Sequence, residues 1–186
     1  MRDIVLDGES LKIRDVVETG LGKTIVSLSN KAREKMENSR LGINRILQSG
    51  ETTYGVNTGF GALSSVSIDS DKLEALQVNL IRSHACGVGE EMENKHTLMM
   101  MLIRANTLCR GNSGARPLIV DTLISMINHK ICPAIPRIGS LGASGDLAPL
   151  SHLAMGMMGE GFCYVMDEGG NWNKVPALDA LKTYSC

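Results

Sequence analysis

Apolar positions recur along most of this chain at helical spacing, with a few short alternating runs between them. Ile4-Val5-Leu6 is a short strand candidate ending at Asp7-Gly8, and residues 24–28, alternating and β-branched, predict a second. Between them, residues 11–18 read as a short helix stopped by Gly20 and Gly22. Ser29 offers an N-cap to a helix with apolar positions Ala32, Met36, Ile43 and Leu47, ended by Gly50. Asp71 and Glu74 have capping-box spacing, and from there Leu73, Leu76, Leu80 and His84 form one stripe that points His84 inward. Residues 97–109 predict an amphipathic helix with Leu98, Met101, Leu102, Ala105 and Cys109 on one face, closed by Gly111. Pro117 suits the first turn of the next helix, 118–130, with Ile119, Leu123 and Ile127 inward. A helix over 146–158 follows, then a hairpin of 162–166 and 172–175 around Glu168-Gly169-Gly170-Asn171, and a last helix after Pro176. The fold class is mainly α, with a few short strands and a small β-hairpin.

Composition narrows the function classes. With 43% hydrophobic and 21% charged residues, the chain has enough apolar matter for a core, which excludes disorder as its overall state. A net charge of −1 without a basic stripe argues against nucleic-acid binding. The charged N-terminus has no apolar stretch typical of a secretory signal, and the longest apolar run, 98–103, is too short to span a bilayer. Five widely spaced cysteines without a C-x-x-C pair argue against a disulfide framework or a zinc knuckle, and predict reduced, buried thiols in a cytoplasmic protein. Aromatics are only 3% while Gly is 20 and Met 11, which predicts an aliphatic and methionine core with special loops. One such loop is the Gly/Ser/Thr-rich stretch 51–68, and long loops inside compact domains tend to be functional.

Several familiar motifs fail on register. Gly22-Lys23-Thr24 has the ending of a phosphate-binding loop, but position 17, where that loop needs glycine, is Val17. Gly111-Asn112-Ser113-Gly114 and Gly142-Ala143-Ser144-Gly145 resemble nucleophile elbows, but the last glycine of that motif is replaced by Ala115 in one and Asp146 in the other. His84, His96, His129 and His152 show no H-E-x-x-H pattern, so no metal site is predicted.

The segment Ser140-Leu141-Gly142-Ala143-Ser144-Gly145-Asp146-Leu147 demands a different chemistry. A glycine nitrogen has little steric shielding and tolerates strained backbone. The Gly145 nitrogen can therefore bend back onto the Ala143 carbonyl carbon and close, with loss of water, to an imidazolone. Loss of the Ser144 hydroxyl as a second water then leaves an exocyclic methylidene, an electrophile that no ordinary side chain supplies. A helix starts at once, with Asp146 as its cap, and its positive N-terminal end would stabilise negative charge building on the ring.

The wider context resembles the aromatic amino-acid ammonia-lyase family. GSLGASGDLAPLSHLA, at 139–154, is similar to the segment that forms the family's 4-methylidene-imidazol-5-one (MIO) cofactor. YGVNTGFGA at 54–62 resembles its mobile inner loop, and LQVNLIRSHACGVGE at 76–90 and RANTLCRGNSGARP at 104–117 resemble two further segments. The Ser83-His84 pair looks like the histidine-specific branch; Glu91 stands where that branch has Pro, at what reads as a helix start.

The resemblance implies that Ala143, Ser144 and Gly145 become MIO, so that no external cofactor and no metal is needed. Tyr54 would be the base that removes the substrate β-proton. A phenol's usual pKa of about 10 must then be lowered in the site. His84 would contact the imidazole or carboxylate region of the substrate, and Asp146 would support cyclisation and the helix start. The implied reaction is L-histidine to trans-urocanate and ammonia. Addition of the substrate amine to the methylidene would improve the leaving group; addition of the ring would acidify the β-proton; both fit these residues. The implied architecture is a mostly helical domain over 1–110, then 111–186 as the start of a truncated central helical bundle carrying the Ala-Ser-Gly loop. Family active sites are shared between subunits of a homotetramer through that bundle, which predicts an incomplete and inactive chain with an uncyclised loop. Two alternatives stand beside this: a tyrosine or phenylalanine ammonia-lyase or aminomutase of the same family, and a non-catalytic helical module binding a partner through exposed faces of the 97–109 and 118–130 helices.

Overall fold

A computed structural model describes residues 1–49, 52–53, 55–58, 72–140, 147–184 and 186. Strands β1 (Arg2–Leu6) and β2 (Thr24–Leu28) pair in parallel, Ile4 opposite Val26, with helix α1 (Ile13–Gly20) as the crossover that parallel pairing requires. Alternation puts Ile4, Leu6 and Val26 in the interior and leaves Val5 and Ile25 outside. Helix α1 starts two residues later than the apolar spacing suggests. The cause is Asp15, whose Oδ2 accepts the Lys12 N–H at 2.9 Å and makes residue 12 the cap.

Helix α2 (Asn30–Ser49) starts where expected: the Ser29 Oγ accepts the Ala32 N–H at 3.1 Å. Ala32 and Met36 are buried, whereas Ile43 and Leu47 are half-buried. Helix α3 (Leu73–His84) carries its predicted stripe, but none of its residues is fully buried. Helix α4 (Asn94–Leu108) buries Leu98, Met101, Leu102 and Ala105 completely, with Cys109 just beyond its end. Gly111 closes it with a φ of +72°, a left-handed turn whose N–H bonds to the Leu108 carbonyl.

Helix α5 (Pro117–Asn128) has proline in its first turn as expected. Its inward face is rotated from the predicted one: Val120, Leu123, Met126 and Ile127 are buried, and Ile119 is half-buried. Two side chains tie this helix to its neighbours. Arg33 grips Asp121 with both guanidinium nitrogens, at 2.6 and 3.1 Å. Asn128 acts as a third strand for β2, its Oδ1 accepting the Val26 N–H and its Nδ2 donating to the Val26 carbonyl, both at 2.9 Å. The 118–130 helix ends two residues early because Lys130 takes φ +55° and turns the chain into β4 (Ile131–Pro133).

The hairpin of β6 (Phe162–Met166) and β7 (Trp172–Pro176) is present, and β4 adds to it as a third antiparallel strand in the order β4-β6-β7. A second small pair, β3 (Val88–Glu91) with β5 (Pro136–Ile138), was not legible in the periodicity. It corrects the placing of Glu91, which ends a strand rather than starting a helix. Its carboxylate binds Lys174 Nζ at 2.7 Å and accepts the Tyr164 phenol, and so ties β3 to the hairpin. Helices α6 (Leu147–Met157) and α7 (Ala177–Tyr184) complete a mainly α chain with seven helices among the described residues.

All five cysteines are free, but not all are buried: Cys86 is exposed and Cys186 half-buried. Burial pushes the Cys109 thiol up to about 11 and the Cys163 thiol to about 12, so these behave as inert apolar groups. Among the described residues no helix is long and apolar enough to cross a membrane, and no group of His, Cys, Asp or Glu converges as a metal site would.

Candidate functional site

Of the residues singled out from the sequence, His84 lies within the described structure. Tyr54, Ala143, Ser144, Gly145 and Asp146 lie outside the described residues, as does Asp71. His84 is the last residue of α3 and is half-buried, shallower than its stripe suggests, because α3 packs chiefly against one helix, α6. Its Nδ1 is 2.9 Å from the Leu80 carbonyl oxygen, one turn back on the same helix. Ser83 Oγ lies 3.1 Å from the same nitrogen. A carbonyl only accepts, so the Leu80 contact is a hydrogen bond in the tautomer with its proton on Nδ1, which leaves Nε2 for another partner.

Three residues on, the chain passes a tight crossing. The Gly87 N–H donates to Nε2 of His152, on α6, at 3.1 Å. A side chain on Gly87 would begin 3.1 Å from that nitrogen and 3.1 Å from Pro136 Cβ. A side chain on Gly139 would begin 2.7 Å from Gly87 Cα and 3.2 Å from Ala148 Cβ. The backbone approach at Gly139 leaves no room for a side chain there. The crossing thus gathers the exit of α3 and the residues on either side of the Ala-Ser-Gly segment, 139 before it and 148 and 152 after it.

The His152 acceptor is chemically consistent. Burial lowers the imidazole pKa from its usual value, which keeps the ring neutral and leaves Nε2 a lone pair. Sequence reading passed over His152, Gly87 and Gly139 as site residues; an excess of glycine was the one signal, and it does not say which glycines meet. A second tie holds the same end of α3: Arg82 grips Glu160 with Nε at 3.0 Å and Nη2 at 2.5 Å, which keeps the Glu160 carboxyl below its usual range.

At the other end of α3 lies a cleft of about 530 Å³, open on one side. It is lined by Gly55 and Val56, next in sequence to Tyr54, by Gln77 on α3, and by Gly114, Ala115 and Arg116 before α5. Three of the sequence segments singled out above therefore meet there. The turn beside it is held by side chains: the Asn57 Oδ1 accepts the Thr53 N–H at 2.8 Å, and Thr58 Oγ1 the Gly55 N–H at 3.3 Å, with Asn57 and Thr58 both buried. Seven residues of helix separate Gln77 from His84, about 10 Å of rise.

The chain is similar to known proteins along nearly its whole length. The family profile described as Aromatic amino acid lyase matches residues 11–185. A histidine ammonia-lyase of Staphylococcus saprophyticus is 49% identical over 164 residues, covering 88% of this chain and 33% of that protein. A histidine ammonia-lyase of Geobacillus thermodenitrificans is 46% identical over 178 residues, 96% of this chain and 34% of that protein. Among solved structures, histidine ammonia-lyase from Trypanosoma cruzi superposes with a TM-score of 0.87 at 36% identity, covering 100% of this chain and 34% of that one. Tyrosine aminomutase from Streptomyces globisporus gives 0.85 at 34% identity, covering 97% and 33%. The chain spans about a third of the length of the curated relatives it matches.

Proposed function

The chain belongs to the aromatic amino acid lyase family, and from that premise we propose that it supplies part of the active site of an enzyme converting L-histidine to trans-urocanate and ammonia. The observation that carries this reading is the crossing at Gly87, where the exit of the His84 helix meets both flanks of the Ala-Ser-Gly segment. The curated relatives at 46% and 49% identity are histidine ammonia-lyases, which favours histidine over the other aromatic amino acids.

In this reading Ala143, Ser144 and Gly145 close to MIO, which supplies an electrophile for the substrate. The flanks fit that demand. Residues 139 and 148, on either side of the segment, lie close together, the space for a Cβ on Gly139 reaching to 3.2 Å from Ala148 Cβ. Tyr54, next in sequence to Gly55 and Val56 of the cleft wall, takes the β-proton of the substrate. His84 keeps Nε2 available to the imidazole or carboxylate region of the substrate while Leu80 holds its other nitrogen. Asp146 supports cyclisation and the start of α6. The complete site belongs to a cytoplasmic homotetramer, and residues 1–186 alone are inactive with the Ala-Ser-Gly segment uncyclised.

The test replaces the matched third of the Staphylococcus saprophyticus relative with this chain, and assays ammonia release from L-histidine, L-tyrosine and L-phenylalanine. Urocanate is expected from L-histidine, with an intact mass short by two waters. Ser144→Ala should abolish both. Release from L-tyrosine in place of L-histidine would overturn the substrate, and full activity of Ser144→Ala would overturn the chemistry. Urocanate formed by the 186-residue polypeptide alone would overturn its inactivity.

A further inference from the structure

The half-buried ring of His152, on α6, reaches the backbone that follows α3, and a polar ring withdrawn from water is costly unless it is bonded. The bond it makes is specific. Gly87 lies three residues beyond the end of α3, outside the helix's own hydrogen-bond ladder, and His152 Nε2 accepts its N–H at 3.1 Å. Pro136 on β5 and the imidazole both stand 3.1 Å from where a side chain on Gly87 would begin, and Gly139 lies across it, so the crossing is closely packed around this glycine. The other tie at this end, Arg82 with Glu160, is exposed and correspondingly weak. We infer that His152 is a positioning residue: by accepting the Gly87 N–H it fixes the exit of α3, and with it the His84 ring, against α6 and the Gly139 backbone.

The role assigned to His84 rests on the proposed function, whereas the geometry of the crossing does not. His152 touches neither the reacting atoms nor the substrate in this scheme and acts through Gly87. Glutamine at 152 presents an acceptor oxygen on a chain of similar reach, whereas phenylalanine fills the space without one.

The test uses the 186-residue chain, labelled with 15N, in three forms: wild type, His152→Phe and His152→Gln. In the wild type the His152 ring should carry its proton on Nδ1, with Nε2 in the acceptor form. A proton on Nε2 would overturn the proposal without recourse to any variant. Amide exchange at Gly87 should quicken about tenfold in His152→Phe, the loss of one hydrogen bond, and return to within about threefold of wild type in His152→Gln. The His84 ring resonances should shift with the same pattern. Equal exchange in wild type and His152→Phe, or no rescue by glutamine, would overturn the role. Failure of the chimaeric enzyme to make urocanate would sink the proposed reaction, while these exchange rates would still decide the role of His152.

Discussion

Helices α3 and α4 look alike as patterns and end in different places. Both repeat apolar residues every third or fourth position. Helix α4 buries six side chains, five of them (Thr97, Leu98, Met101, Leu102 and Ala105) at 0% exposure, because α1 covers one side and α5 another. Helix α3 buries none completely, because among the described residues it packs chiefly on α6. A stripe thus tells which side of a helix faces protein, but not how deeply. The shallower helix is the one that ends in His84. The shallow packing leaves that end of the helix open to solvent, and the closed core of α4 is the more rigid of the two.

Truncation should expose this contrast most strongly. Leu102→Ala is expected to cost about 2–5 kcal/mol in denaturant unfolding, and Leu80→Ala on α3 less than about 1 kcal/mol. Equal losses would break the distinction between the two helices. The crossing beside α3 gives the next effect. Gly139→Ala should cost about 1–3 kcal/mol, since its methyl would meet the Gly87 backbone at 2.7 Å. Gly42→Ala, in the middle of α2 with open space around it, should instead stabilise by about 0.5–1 kcal/mol. Thermal melts of the two alanine variants should therefore move in opposite directions.

A smaller effect comes with pH. The His152 pKa is lowered by burial in the folded chain, so the unfolded chain binds that proton more readily. Its contribution is fully present above the unfolded value of about 6.5 and is lost as pH falls through the lower folded value. The carboxylates act further down: the Glu9 and Ser10 amides hold Asp7 at about 2, so its contribution is present above the ordinary carboxylate range and lost as pH falls towards that value. Melting temperature should fall between neutral and mildly acid pH in the wild type and less in His152→Gln; parallel profiles would remove His152 as the source. The smallest effect belongs to the surface. A double-mutant cycle on Arg33 and Asp121, both partly exposed, should return a coupling of about 0.5–1 kcal/mol despite the two-pronged geometry.

Much of the scaffold could be read from the chain because its signals are local. Ser29, Pro117 and Gly111 mark helix ends through their own backbone chemistry, and the α4 stripe is a repeat within one helix. What escaped reading was non-local. Strands β3, β4 and β5 are three or four residues long, too short for a period to declare itself, and exist because partners arrive from elsewhere. Glu91 looked like a helix start until Lys174 and Tyr164 were brought to it. The α5 face was misjudged at Ile119 for a similar reason: the same helix has neighbours on more than one side, and α2, β2 and β4 choose Val120 and Met126 as well.

The sequence by itself determined the mainly α class, the caps and turns, and the resemblance of the Ala-Ser-Gly segment to that of an ammonia-lyase. Propensity, capping and the reactivity of a tripeptide reside in residues next to one another. Only the tertiary structure decided that Gly87, Gly139 and His152 occupy one crossing, and that His84 sits at its edge rather than in the core. Those facts depend on which helix packs against which. Burial and hydrogen-bond satisfaction settle that over the whole chain, and no window of neighbouring residues contains it.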